Sequence, residues 1–295
     1  MLNELISAID ELALNEGHNQ TYLNNVLLFR VSEHLTEIPL IYDQCICIAA
    51  RGYKTCHMTD AKFTYGADDL LVVPTVVPME IEIMPDEDKS LLSLTIGIDF
   101  QEVRELVDSI RKHDTEALDN LAPSPGVYLE PMSHDIIEPC LRLLKTLKSK
   151  SESEIFGKQI IREIYYRLLT GANGHILASA ARGESEYAQI SKVLRAIHDS
   201  YATPIDVSQL AKAANMSTRS FHNHFKTVTS YTPVQYLKRI RLEKARKFMV
   251  LEGEQASSAA HMVGYESPSQ FSREFKRHFG FPPSQALEKS QYMSV

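Results

Sequence analysis

Two stretches fifty residues apart decide the fold: Ser217-Thr-Arg-Ser-Phe-His-Asn-His-Phe-Lys226 and Ser267-Pro-Ser-Gln-Phe-Ser-Arg-Glu-Phe-Lys276. Ser217, Phe221, Phe225, Lys226, Pro233, Gln235 and Leu237 recur as Ser267, Phe271, Phe275, Lys276, Pro283, Gln285 and Leu287, and Tyr231 returns as Phe281. Such a repeat marks two copies of one supersecondary unit. Each copy reads as helix, turn, helix. Leu210 and Ala211, or Ala259 and Ala260, belong to the first helix, and their small side chains let the helices cross closely. Asn215 or Gly264 tolerates the left-handed residue that ends it. Ser217 or Ser267 caps the second helix, its hydroxyl satisfying an orphan backbone amide. The Phe pairs, at i and i+4, form that helix's buried stripe.

The opposite face of each second helix carries side chains suited to base edges: Thr218, Arg219, His222 and Asn223 in one copy, Ser269, Gln270, Ser272 and Arg273 in the other. Arg pairs with guanine, Asn or Gln with adenine, Ser or Thr with either. A helix-turn-helix places such residues in the major groove. Taken alone, one face is equally readable as solvated surface; two matched copies in a basic surround favour DNA. Thr232–Val250 joins the copies as a Gly-free helical pattern with Pro233 in its first turn, a position where proline is favoured. At 1.5 Å per residue it spans roughly 28 Å. That holds the two tips about one DNA turn apart, so a monomer is expected to read two successive major grooves of an asymmetric site. Lys226, Lys238, Arg239, Arg241, Lys276 and Arg277 are the expected phosphate contacts. The competing reading is a solvated helix face with partners such as Glu243–Lys247.

Charge supports the polyanion. From Ser185 onward, 15 Lys+Arg stand against 9 Asp+Glu, a surplus of +6, while the rest carries 16 against 29, or −13. An acidic body with a basic end domain suggests that the end domain meets nucleic acid. The 295-residue length implies two or so domains. No run approaches about 18 uncharged apolar residues, and the N-terminus carries acids rather than a basic leader, so a cytoplasmic protein without a membrane span is expected.

Upstream the texture changes. Residues 2–13 have helical spacing. From Val26 to Ile98, short β-branched runs alternate with Gly, Pro and Asp, as in Tyr42–Arg51, Leu70–Val73, Met79–Met84 and Leu91–Ile96; Glu80-Ile-Glu-Ile83 alternates as a half-buried strand does. A small barrel or sandwich follows. Asp99 is a candidate cap for a helix over Phe100–Lys112, Leu121–Gly126 is a loop, and Gly183–Ser185 a linker. Two further helical stripes run through Ile136–Leu147 and through Phe156, Ile160, Ile161, Ile164, Leu168 and Leu169, ended by Gly171.

Arg241-Leu-Glu-Lys-Ala-Arg-Lys-Phe248, followed by Ala260-His-Met-Val-Gly-Tyr-Glu-Ser-Pro-Ser-Gln-Phe-Ser-Arg-Glu-Phe-Lys-Arg-His-Phe-Gly-Phe-Pro-Pro283, resembles the AraC/XylS-type transcription regulators over about Ile190–Leu287. One departure is Ala256, where the second unit of that family usually has Ile. Gly66–Pro74 and Glu163–Gly171 are similar to one N-terminal type in the family. The resemblance implies an α+β chain: a small cupin-like β-barrel at 1–125, a helical linker or dimerisation segment at 126–184, and an all-α domain at 185–295 with two helix-turn-helix units joined by a long helix. It also implies double-stranded promoter DNA and RNA polymerase as partners, a small-molecule or electrophile/redox signal at the barrel, a homodimer, and no cofactor.

A metal-dependent barrel enzyme needs clustered ligands, yet the barrel region offers only His34 and His57, and the His222–His224 pair points two ways on a helix. Neither a phosphate-binding Gly loop nor a nucleophile elbow is present, so no catalysis and no metal are expected. A protein-binding role for the two units is the other alternative. Tyr42, Cys45, Cys47, Cys56, Phe63, Tyr65 and Met79 are candidate pocket residues, with Cys45 and Cys47 sharing a strand face. Both a thiol sensor and plain core fit these residues. Phe156, Ile160, Ile164 and Leu168 are candidates for a dimer contact or for intrachain packing.

Overall fold

The computed structural model describes all residues except 59–60, 88, 114–117, 119–126, 183–185, 230 and 289–295. The loop at Leu121–Gly126 and the linker at Gly183–Ser185 lie outside the described residues. The alternation at Glu80–Ile83 becomes strand β8 (Val77–Met84), whose Val77, Met79, Ile81 and Ile83 are buried. It lies between β3 (Leu35–Tyr42) and β5 (Tyr53–Met58), with β6 (Ala61–Tyr65) at the edge of this four-stranded antiparallel sheet. A six-stranded sheet faces it, ordered β1 (Gly17–Gln20), β2 (Val26–Val31), β9 (Leu91–Gly97), β4 (Cys45–Arg51), β7 (Asp69–Val73) and β10 (Tyr128–Pro131).

The period of two in β4 sorts its side chains between two cores. Cys45, Cys47 and Ala49 join Phe29, Val31, Leu71, Val73 and the β8 residues in the core between the sheets. Ile46, Ile48 and Ala50 face the other way, into a core shared with helices. Those helices are α1 (Leu2–Leu12), α2 (Phe100–Arg111), α3 (His134–Thr146), α4 (Lys150–Leu169) and α5 (Gly174–Arg182). Asp99 caps α2 through the amides of Gln101 and Glu102, as its position before the apolar run predicts. Tyr165 of α4 donates to the Gly97 carbonyl at 2.6 Å and accepts from the Asp99 amide at 3.1 Å, tying helix to sheet.

The α4 stripe corrects one expectation. Ile160, Ile164 and Leu168 are buried inside the chain against the sheet and α3, so they are not free to meet a partner. Of the four candidates, Phe156 alone is exposed, at 53%, beside Ile155 at 58%. A helix stripe records which face is buried, not what covers it.

The C-terminal part contains α6 (Glu186–Asp199), α7 (Val207–Ala213), α8 (Thr218–Thr229), α9 (Pro233–Leu251), α10 (Ala256–Met262), α11 (Pro268–Phe279) and a 3-10 turn at Pro283–Gln285. It has two cores. Phe221, Phe225, Ile190 and Leu194 pack with Tyr236, Leu237 and Ile240 from the first half of α9. Phe271, Phe275, Ala259 and Ala260 pack with Leu242, Ala245 and Met249 from its second half. The two Phe pairs repeat each other's geometry, with ring centroids 5.4 Å apart in both. Ala256 is only half-buried at the margin of the second core. Helix α9 begins with a capping box: Thr232 Oγ1 accepts from the Gln235 amide, and Gln235 Oε1 accepts from the Thr232 amide.

Candidate nucleic-acid interface and sensor cavity

Both turns form as the residue types require. Asn215 has φ of 51° and Gly264 has φ of 84°. Gly264 is doubly constrained, because a Cβ there would stand 2.0 Å from the Ala202 carbonyl oxygen. Ser217 accepts from the Ser220 amide at 3.2 Å, and Ser267 from the Gln270 amide at 3.3 Å. These caps fix the first turn of α8 and α11, the turn a groove-reading helix presents. Thr218, Arg219, His222 and Asn223, with Ser269, Gln270, Ser272 and Arg273, are all exposed. Gln270 is partly engaged, its amide donating to Glu274 at 3.3 Å. Lys226, Lys276 and Arg277 are exposed beside them.

The other three expected phosphate contacts are occupied. Arg241 donates to the carbonyls of Tyr201 (2.7 Å), Gly264 (3.0 Å), Thr203 (3.0 Å) and Ala202 (3.3 Å). It therefore rivets the α6–α7 connection of the first unit to the turn of the second. Lys238 pairs with Glu274 at 2.9 Å, joining α9 to α11. Glu274 also accepts from the Tyr265 hydroxyl at 2.8 Å, and these bonds hold its carboxyl below the usual range even though burial pushes it up. Arg239 lies over the Tyr231 ring and reaches Glu80 of β8 at 3.3 Å. The Glu243–Lys247 pair is replaced by Glu243–Arg246 at 3.1 Å, both buried, with His278 Nε2 3.4 Å from the same carboxylate. Charge spacing on a helix does not say which face meets the rest of the chain.

The N-terminal sheets hold α9 and α6. Tyr236 Oη donates to the Val76 carbonyl at 3.3 Å and lies 2.9 Å from His198 Nε2, while Thr75 and Ser191 hydroxyls are 3.1 Å apart. Burial pushes His198 down to about 4, so it is neutral at physiological pH. A narrow cleft here is lined by Leu40, Asp43, His198, Lys244 and Lys247.

A cavity of about 260 Å³ opens into the core between the sheets, walled by Leu27, Phe29, Leu40, Ile81 and Ile83 with Asn24, Asn25, Asp43 and Gln44. Of the predicted pocket residues, Tyr42 and Cys45 line it. Cys47, Cys56, Phe63, Tyr65 and Met79 belong to the adjoining apolar core instead, since β6 and its neighbourhood contribute no wall. Cys45 and Cys47 share a face, their sulfurs 3.5 Å apart. The bond between them holds the proton on Cys45, whose thiol is raised, and favours release from Cys47, with Lys54 helping. Burial pushes Cys56 and Cys140 up to about 12, leaving both as protonated core thiols. Among the described residues, no group of three or more His, Cys, Asp or Glu has a metal-holding arrangement, and no helix is long and apolar enough to cross a membrane.

Lys54 is one of the many wall residues that the sequence reading missed. It is 6% exposed, donates to Ser93 Oγ at 2.9 Å, and stands 4.6 Å above the Phe29 ring. Its signal was parity: Lys54 shares the inward face of β5 with Cys56.

Comparisons agree with this architecture. The AraC-type transcriptional regulator N-terminus model matches residues 22–176, and a helix-turn-helix domain model matches 210–289. The HTH-type transcriptional activator RhaS of Escherichia coli O1:K1 is 24% identical over 153 residues, covering 52% of this chain and 54% of that protein. The chain thus spans about half the length of that curated relative. An apo structure of ToxT from Vibrio cholerae strain SCE256 has a TM-score of 0.61 at 14% identity, covering 93% of this chain and 99% of ToxT. Wild-type ToxT of the same strain bound to an unsaturated fatty acid gives 0.58 at 12% identity, covering 95% and 99%. With the family model for the N-terminal domain covering more than half its length, and two capped helix-turn-helix units behind it, the chain belongs to the AraC-type transcriptional regulators.

Proposed function

We propose that this chain is a sequence-specific DNA-binding regulator of transcription whose N-terminal domain senses a small molecule. The observation that carries the reading is the pair of exposed, Ser-capped faces on α8 and α11, built over duplicate Phe cores and locked together by α9 and Arg241. Thr218, Arg219, His222 and Asn223 read one major groove; Ser269, Gln270, Ser272 and Arg273 read the next. Lys226, Lys276 and Arg277 contact phosphates, and Lys238 and Arg239 join them only when their present partners let go. The working boundaries are a cupin-like sensor at 1–125, a helical segment at 126–184 and the reading domain at 185–295. The protein acts in the cytoplasm, on promoter DNA and with RNA polymerase, as a homodimer to which Phe156 contributes.

Leu40 and Asp43 wall both the sensor cavity and the cleft against α9. A ligand that moves them shifts the hold on the reading domain, which is the differential contact any effector needs. The fatty acid in the ToxT structure supports a small-molecule role for this architecture. The 3.5 Å sulfur contact supports a second reading, oxidation of Cys45 and Cys47; unchanged thiols in mass spectrometry after peroxide treatment that alters transcription exclude it.

The test is selection of a binding site from random duplexes, followed by titration of the full chain and its Arg219→Ala and Arg273→Ala variants. Each variant is expected to lose about 1–3 kcal/mol on the selected site and to relax one base position. Equal losses on selected and random DNA overturn the assignment.

A further inference from the structure

Lys54 is a buried ammonium whose charged neighbours are thiols rather than a carboxylate. Its ammonium has three donors, and one goes to Ser93 Oγ. No carboxylate of the described residues pairs with it; the groups that favour its charge are the thiols of Cys47, Cys56 and Cys45, while burial, the largest influence, opposes that charge. A buried charge is costly unless it is paired and hydrogen-bonded. Simple core packing would be better served by Met or Leu at this strand position. Lys54 lines an open cavity that has an apolar side, Leu27, Phe29, Leu40, Ile81 and Ile83, and a polar side that includes His18, Tyr42, Asp43, Gln44 and Thr95. The cavity is smaller than the about 300–1,000 Å³ of drug-sized sites, which suits a compact ligand.

We propose that the sensor cavity takes a small monocarboxylic acid, its carboxylate bonded to the Lys54 ammonium and its short apolar tail against Phe29, Leu40 and Ile81. The inference rests on the small-molecule reading above and adds the class of ligand. An acid satisfies the donors that Ser93 leaves over, and the desolvated site makes a charge-assisted bond strong. An alcohol or amide of the same shape gains the apolar contact without the ion pair. Discrimination is therefore large, because a neutral ligand leaves the cation buried and unpaired.

The test uses the full chain and calorimetric titration with hexanoate, octanoate and benzoate, each beside its alcohol. At least one acid binds about tenfold or more tightly than its alcohol, and Lys54→Met removes that preference while leaving alcohol binding within about twofold. Lys54→Met without ligand melts no lower than the parent, since it removes a buried charge that has no carboxylate partner. Should that variant not fold, Ser93→Ala is expected to weaken the acid several-fold by freeing the ammonium. Alcohols binding as well as the acids overturn the proposal and leave the cavity as a sensor site. Failure of acids and alcohols alike overturns the proposal while leaving the small-molecule reading to ligands of another class. An unaltered acid preference in Lys54→Met overturns the role of Lys54.

Discussion

Replacing Arg241 by Lys separates two roles that the sequence cannot tell apart. A phosphate contact needs only a positive charge near the backbone. A rivet needs a forked guanidinium that reaches Tyr201, Gly264, Ala202 and Thr203 carbonyls together, which a lysine cannot do. The bonds to Tyr201 and Gly264 are partly buried, those to Ala202 and Thr203 solvent-facing. Hydrogen bonds to charged groups contribute about 1.5–3 kcal/mol each. Counting only the partly buried pair and discounting for exposure leaves about 3 kcal/mol for Arg241→Ala. For a domain near 100 residues that is a fall of about 10 °C or more in Tm. Arg241→Lys is expected to lose most of the same amount, and to weaken specific DNA binding because the two reading helices lose their fixed spacing. Thermal denaturation by circular dichroism gives the first number, and fluorescence anisotropy across a salt series gives the second. If Arg241→Lys keeps parental Tm and affinity, while Arg241→Ala only flattens the salt slope by about 1, Arg241 is a phosphate contact and the rivet is wrong.

Further outcomes follow from other contacts. Gly264→Ala places a methyl in the Ala202 carbonyl and forces an unfavourable φ, so it costs more than the about 1–3 kcal/mol typical of a strained residue, whereas Asn215→Gly is near neutral in a chemical melt. Phe271→Ala empties the centre of the second core and costs about 3–5 kcal/mol, read as a lower denaturation midpoint with the first unit's amide protection retained. His198 is neutral and buried at about 4 against an ordinary 6.5; the unfolded chain takes up its proton first as pH drops, so stability falls between about pH 6.5 and 4. His198→Gln is expected to flatten that part of the profile, and an identical profile in the variant refutes the assignment. Glu80→Gln frees Arg239 from a partly exposed pair worth at most about 1 kcal/mol, so it changes duplex affinity by less than about tenfold, upward, in anisotropy titrations.

What the sequence made legible were features set by local chemistry. Residue type alone located the caps at Asp99, Ser217 and Ser267, the left-handed turns at Asn215 and Gly264, and the two Phe stripes, because each is decided within a few residues. The strand alternation at Glu80–Ile83 likewise held in register. Illegible features needed partners distant in the chain. The α4 stripe named its buried face correctly but not that α3 and the sheet cover it. The charges of Arg239 and Arg241 gave no hint that one meets Glu80 and the other a row of carbonyls. Lys54 is turned inward by the pairing of β5 with β8, which nothing beyond its parity with Cys56 announces.

The Phe pairs of the two helix-turn-helix units sit in separate cores that share α9 without sharing a side chain of that helix. The exposed tip residues of each unit are thus free to change on their own. A change of tip residues on α8 leaves the packing beneath α11 untouched, so a lineage can re-address one end of its operator while keeping the other.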